Sequence, residues 1–160
     1  MGTAAQELVI TTAGNTPGNA LTINSLLGNT TGAFTKAGDG TLILTGANTF
    51  TGSTFINGGT IQLSGTTATL GTISTAANVT TIRQNATLDI NAAGATATLY
   101  AGGPSYPVVT IGALAGAGTV TNSGGGTGAQ ATLNIRAGDD DDGGGSFLRP
   151  AAGWGVASSM

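Results

Sequence analysis

A seven-residue phrase occurs twice between residues 40 and 65. Gly40-Thr41-Leu42-Ile43-Leu44-Thr45-Gly46 returns nineteen residues later as Gly59-Thr60-Ile61-Gln62-Leu63-Ser64-Gly65. Its centre appears four times along the chain: Thr41–Leu44, Thr60–Leu63, Thr87–Ile90 and Thr132–Ile135. Each copy follows Gly or Ala, and in each two aliphatic residues flank one other residue. Side chains alternate faces along a strand. Leu42 with Leu44, Ile61 with Leu63, Leu88 with Ile90 and Leu133 with Ile135 are therefore expected to face a core. Gln62, Asp89 and Asn134 are expected to face water. Many short strands also suit a sandwich or barrel, but the strands of a sandwich need not resemble one another. A unit that returns at offsets from nineteen to forty-five residues fits one or two turns of a coil of ~20–25 residues, the range that signals a solenoid. The expected fold is an all-β, right-handed parallel β-helix. Its matching strands would stack ~4.8 Å apart, giving about seven coils and a rod of ~35 Å.

Other stretches extend this pattern. Leu8–Thr11, Leu21–Ile23, Thr54–Ile56, Leu70–Ile73, Val79–Ile82, Ala97–Tyr100, Val108–Ile111 and Thr119–Thr121 read as further strands. Turn clusters such as Gly46-Ala47-Asn48, Asn57-Gly58-Gly59 and Asn91-Ala92-Ala93-Gly94 lie between them. Asn57-Gly58 also fits a tight hairpin, for which Asn-Gly is a strong signal. Pro104 and Pro107, in "GGPSYP", imply a protruding loop or an edge. No segment holds a helical apolar period with caps.

Composition narrows the chemistry. Charged residues make up 7% of the 160 positions, against about 25% in an average domain. The chain has four basic residues, no His and no Cys. Lys36, Arg83, Arg136 and Arg149 are scattered, so no cationic stripe exists to neutralise phosphates, and nucleic acid is not an expected partner. Without His or Cys there is no disulfide, no thiolate nucleophile and none of the usual zinc ligand sets. No run of ~18 apolar residues is present, so no membrane insertion by this segment is expected. "MGTAAQELVI" lacks the basic and apolar regions of a secretory signal. Gln6 also stands where N-myristoylation needs Ser or Thr.

Residues 32–63, "GAFTKAGDGTLILTGANTFTGSTFINGGTIQL", resemble the autotransporter-associated β-strand repeat, the passenger-associated transport repeat of bacterial surface proteins. Thr35, Lys36, Gly38, Gly40, Thr41, Leu42, Leu44, Gly46, Asn48, Thr49, Phe50, Gly52, Thr54, Ile56, Gly59 and Thr60 fall at the positions of that pattern. Ile61 stands where Leu is commoner. Residues 108–123 are similar to the spacer coils between such repeats. The resemblance implies a right-handed β-helical stalk in a secreted or surface-anchored passenger, with a part for the motif in export across the outer membrane. Family members carry a signal peptide and a C-terminal β-barrel, and neither pattern is legible in these residues.

Several motifs admit a chemical reading. Asp139–Asp142 in a glycine-rich loop has the donors of a calcium site, but the EF-hand glycine and closing Glu are missing, and a solvated loop between coils accounts for it. "AGDGTL", residues 37–42, lacks the strand-to-helix setting of a phosphate loop and reads as a turn, which Lys36 caps unless it lies in solvent. The isolated acids Glu7, Asp39 and Asp89 are 32 and 50 residues apart. Stacking does not obviously bring two of them within the ~5–10 Å that glycoside cleavage needs. Thr-x-Thr pairs at Thr49/Thr51, Thr67/Thr69, Thr96/Thr98 and Thr119/Thr121 would suit an ice-binding face only if they align in successive coils; ordinary β-propensity explains them. Trp154, Tyr100 and Tyr106 could meet sugar rings, and Trp154 equally suits a cap over the last coil.

The expected protein is thus a β-helix over residues 1–137, with a Gly/Asp-rich loop and tail or cap over residues 138–160. Its expected role is non-enzymatic: a structural stalk segment of a surface-displayed passenger that supports export and presents adhesive modules. The alternative is a carbohydrate-binding or carbohydrate-cleaving β-helix. No catalytic, cofactor-binding or metal-binding residue is expected. The expected partners are host or matrix glycans or proteins and the outer-membrane export machinery of a parent protein. Self-association through the solenoid ends is a further expectation, and the expected location is extracellular or the bacterial cell surface.

Overall fold

A computed structural model describes residues 5–14, 20–28, 31–72, 78–91, 95–98, 105–124 and 131–135. Among these residues there is no helix. The strands are β1 (Leu8–Thr11), β2 (Ala20–Ile23), β3 (Phe34–Ala37), β4 (Thr41–Leu44), β5 (Thr54–Ile56), β6 (Gly59–Leu63), β7 (Val79–Ile82), β8 (Ala86–Asp89), β9 (Ala95–Thr98), β10 (Ser105–Ile111), β11 (Ala113–Gly116), β12 (Thr119–Thr121) and β13 (Thr132–Ile135). They form two five-stranded sheets, ordered β1-β3-β5-β7-β11 and β2-β4-β6-β8-β12, and a three-stranded sheet ordered β13-β10-β9. Every pairing within the two larger sheets is parallel. Strands of the two sheets alternate along the sequence, so each coil contributes one strand to each. The architecture is that of a β-solenoid of five stacked coils.

The repeated phrase stacks in register. Leu42 lies over Ile61 and Leu44 over Leu63, and Ile61 lies over Leu88. These five side chains are fully buried. In the first sheet Phe34, Thr54 and Thr80 share one column, and Lys36, Ile56 and Ile82 another. Burying an aliphatic side chain of this size stabilises by about 1.5–3 kcal/mol. The two columns of the second sheet are therefore the main apolar source of cohesion between coils. Phe34 and Phe50 pack against each other in the core, with ring centroids 5.1 Å apart at 47°.

The corner between β5 and β6 needs glycine. Gly59 has φ of +61°, and a Cβ there would stand 2.2 Å from the Gly40 carbonyl oxygen of the coil beneath. Asn57-Gly58 makes this corner and not a hairpin: β5 pairs with β3 and β7, and β6 with β4 and β8.

Three expectations are corrected. Thr132–Ile135 does not join the column of the other three phrases; it pairs with β10 in the third sheet, and Thr119–Thr121 takes the place above β8. The cause is the excursion between β8 and β11, where β9 and β10 pair antiparallel and shift the phase of the later strands. Ile135 stacks over buried Ile111, on the inward side as expected, but on the edge strand of that sheet it is 43% exposed. Leu70 to Thr72 is not a strand. Asp89 does not face water; it is 4% exposed. Residues 136–160, including Asp139–Asp142 and Trp154, lie outside the described residues.

Candidate functional site

Among the described residues, three polar side chains larger than threonine are buried: Lys36, Asn48 and Asp89. Each reaches beyond its own coil.

Lys36 stands in an inward column, between Ile10 of β1 and Ile56 of β5. Its stem is packed like an aliphatic residue, and its ammonium emerges at the turn after β3. There Nζ donates to the carbonyl oxygens of Ala37 at 2.9 Å, Gly38 at 2.8 Å and Gly58 at 3.0 Å. An ammonium has three donors, so all are used, and one binds the next coil. Burial lowers the Lys36 pKa, and the nearby Asp39 carboxylate works in the opposite direction. The lysine therefore caps the turn from inside the core.

Asn48 lies in the loop between β4 and β5 and is 2% exposed. Its Oδ1 accepts the Leu27 N–H at 2.9 Å, and its Nδ2 donates to the Thr69 carbonyl at 2.8 Å. Thr69 Oγ1 returns a bond to the Asn48 carbonyl at 2.9 Å. Leu27 and Thr69 are each 21 residues away in sequence, in opposite directions. One amide thus ties three successive loops where no regular strand pairs them.

Asp89 ends β8. Its carboxylate accepts Gln62 Nε2 at 2.8 Å, the Asn91 N–H at 3.0 Å and the Ser123 N–H at 2.9 Å. Ser123 Oγ also donates to it. Burial pushes the Asp89 pKa up, but the hydrogen bonds from Ser123, Gln62 and Asn91 outweigh burial and hold it below its ordinary value. A carboxylate so satisfied is a poor proton acceptor. Its bonds join β6, β8 and the segment after β12.

The other acids have separate partners. Glu7 Oε1 accepts Thr35 Oγ1 at 2.5 Å, and Asp39 Oδ1 accepts the Gly14 N–H at 3.1 Å. Among the described residues no three His, Cys, Asp or Glu side chains come together to hold a metal ion. No helix there is long and apolar enough to cross a membrane. A shallow dent lined by Thr54, Thr72, Asn78 and Thr80 has room for about one water. Of the Thr-x-Thr pairs, only Thr119 enters a threonine column, above Thr87, Thr60 and Thr41. The companion column carries Ile43, Gln62 and Asp89, so paired threonine ranks do not form.

Two of the three buried polar groups lie within one stretch of sequence. Residues 34–63 match the family model of the passenger-associated transport repeat. The chain carries this repeat. It comprises β3, β4, β5 and β6, with Lys36 and Asn48 inside it. The family is a repeat of autotransporter passengers and not an enzyme family. It implies a surface or secreted location. No curated protein and no solved structure matches the chain.

Proposed function

We propose that this chain is a structural stalk segment of an autotransporter passenger, one right-handed solenoid domain that supports export and holds adhesive modules away from the cell surface. The observation that carries this reading is the coincidence of the repeat with the tightest part of the solenoid. Residues 34–63 hold Phe34, Lys36, Leu42, Leu44, Ile56, Ile61 and Leu63, all buried to about 1% exposure or less. The same residues supply the lysine and asparagine that bond across coils. In a solenoid each unit contacts mainly its neighbours, so folding spreads from a stable unit to the next. A chain leaving a pore end-first can fold in that way as it emerges. Stiffness then comes from coil stacking and needs no ligand.

The test is display. The chain would be placed between an export signal and an outer-membrane barrel in a Gram-negative host, and surface exposure read by protease accessibility on intact cells. Wild type is expected to reach the surface folded. A version with residues 34–63 scrambled at constant composition is expected to stall or be degraded. Equal display of the two would overturn the proposal.

A further inference from the structure

We infer that Asn57 is a site of self-catalysed deamidation, and that Lys36 of the coil beneath holds the reaction back while the solenoid is folded. Asn57-Gly58 is the only Asn-Gly pair in the chain. A glycine at the second position leaves the backbone nitrogen unshielded and the backbone free to turn. Asn57 is exposed, and among the described residues neither its side-chain amide nor the Gly58 N–H has a hydrogen-bond partner. Once a solvent base has taken its proton, the Gly58 nitrogen attacks the Asn57 Cγ. The new N–Cγ bond closes a succinimide ring, and the side-chain nitrogen leaves as ammonia. Water then opens the ring at either carbonyl. One opening gives an aspartyl residue, and the other an isoaspartyl residue whose backbone runs through Cβ and Cγ. The net change is amide plus water to carboxylic acid plus ammonia, with no electron transferred.

Ring closure has a geometric condition: the Asn57–Gly58 peptide must turn until its nitrogen faces Cγ. One residue pins that peptide on both sides. The Lys36 carbonyl accepts the Asn57 N–H at 2.9 Å, and Lys36 Nζ donates to the Gly58 carbonyl at 3.0 Å. The coil beneath is close as well, since a Cβ on Gly58 would stand 3.2 Å from the Gly38 carbonyl oxygen. Next along the chain, Gly59 is seated on Gly40 at a φ of +61°. Turning the peptide therefore pulls Gly58 off the lysine. The ammonium charge by itself favours the deprotonated nitrogen, so the restraint is one of geometry. An isoaspartyl product lengthens the backbone at a corner that has no slack, and the lysine bond cannot re-form there. This inference does not rest on the stalk proposal, because it concerns the chemistry of one corner and not export.

The experiment follows Asn57 by mass spectrometry of digests during weeks of incubation at neutral pH, reading the exchange of an NH for an oxygen. Folded wild type is compared with a synthetic peptide of residues 52–62, with Lys36→Met and with Asn48→Ala, which loosens the solenoid but leaves both Lys36 bonds to the corner in place. Folded wild type is expected to convert at least ~10-fold more slowly than the peptide, the factor for breaking one charge-assisted hydrogen bond. Lys36→Met is expected to convert faster than wild type by a similar factor. It is also expected to outpace Asn48→Ala when urea brings the two to equal stability. Lys36→Gln keeps a neutral donor, and is expected to fall between wild type and Lys36→Met; it takes the place of Lys36→Met in the comparison if that variant does not fold by circular dichroism. Conversion of folded wild type at the rate of the peptide overturns the inference. So does Asn48→Ala keeping pace at equal stability, because opening of the whole fold would then set the rate, or a folded Lys36 variant that converts no faster than wild type.

Discussion

Replacing Asn48 with alanine tests whether one amide holds the loop side of the solenoid together. The substitution deletes the bonds to the Leu27 N–H and the Thr69 carbonyl and leaves both backbone groups short of a partner. An unmet buried polar group costs about 1–3 kcal/mol. Leu27 and Thr69 are themselves only half-buried, so water reaches part of the gap, and the lower half of the range applies to each. The expected loss is about 2–4 kcal/mol, a large part of the ~5–15 kcal/mol that holds a domain folded. With a urea m-value of ~2 kcal/mol/M, the midpoint should fall by about 1–2 M. Asn48→Asp keeps the acceptor for Leu27 but sets a carboxylate against the Thr69 carbonyl, and should cost at least as much. Asn24→Ala is the control: exposed Asn24 accepts a bond from Thr45 Oγ1 at 3.0 Å, and its loss should change stability by under ~0.5 kcal/mol. Amide exchange gives a local readout, because the Leu27 N–H should lose protection in Asn48→Ala. If Asn48→Ala and Asn24→Ala behave alike, or Leu27 stays protected, the bridging role is wrong.

The other buried contacts make predictions of their own. Asp89 has a depressed folded pKa, so its contribution to stability is present above its ordinary value of ~3.9 and is lost as pH falls through the folded value; Asp89→Asn should flatten that acid limb in urea titrations across pH 2–5, and an unchanged limb would count against it. Lys36 has a folded pKa lowered by burial, so the unfolded chain binds more protons between that value and ~10.4. Wild type should therefore gain stability relative to Lys36→Met as pH rises through this window, whereas Lys36→Met should be less stable at neutral pH because three carbonyls lose their donor; parallel stability curves for the two would refute the assignment. Gly59→Ala should cost at least ~1 kcal/mol and lower the melting temperature, since it adds strain at positive φ and a clash with Gly40; an unchanged melting temperature would show that the corner can relax.

The stacked aliphatic columns are legible in the sequence because alternation and recurrence point the same way over Thr41–Leu44, Thr60–Leu63 and Thr87–Asp89. Two strands are not. β3, Phe34–Ala37, hides its alternation because Lys36 occupies an inward position. β11, Ala113–Gly116, consists of Ala, Leu and Gly, and is set by pairing with β7 and not by propensity. Asp89 has the look of a solvent-facing residue because face alternation says nothing about what else covers the outer face, and Ser123 comes from 34 residues away. Asn48 reads in sequence only as a turn residue. A signal for it does exist: it lies one coil length from both Leu27 and Thr69, so a side chain there can reach the same loop in the coils on either side.

These polar residues answer a question that the apolar columns leave open. Leu over Ile over Leu is nearly the same contact at every level, so a strand displaced by one whole coil would lose little burial. Lengthwise register within a strand is set by the alternation of faces, but the order of coils is not. A lysine with three carbonyl partners, an asparagine between two loops and a carboxylate with its donors each fit one level of the stack. Displaced by a coil, each would be buried with groups unmet, at several kcal/mol for the charged ones. A buried polar group that fixes register while adding little net stability has precedent in the single buried asparagine of coiled coils. Cohesion in this solenoid thus comes from residues that recur, and uniqueness from residues that do not, so removing a polar tie should disturb the ordering of coils more than their compactness.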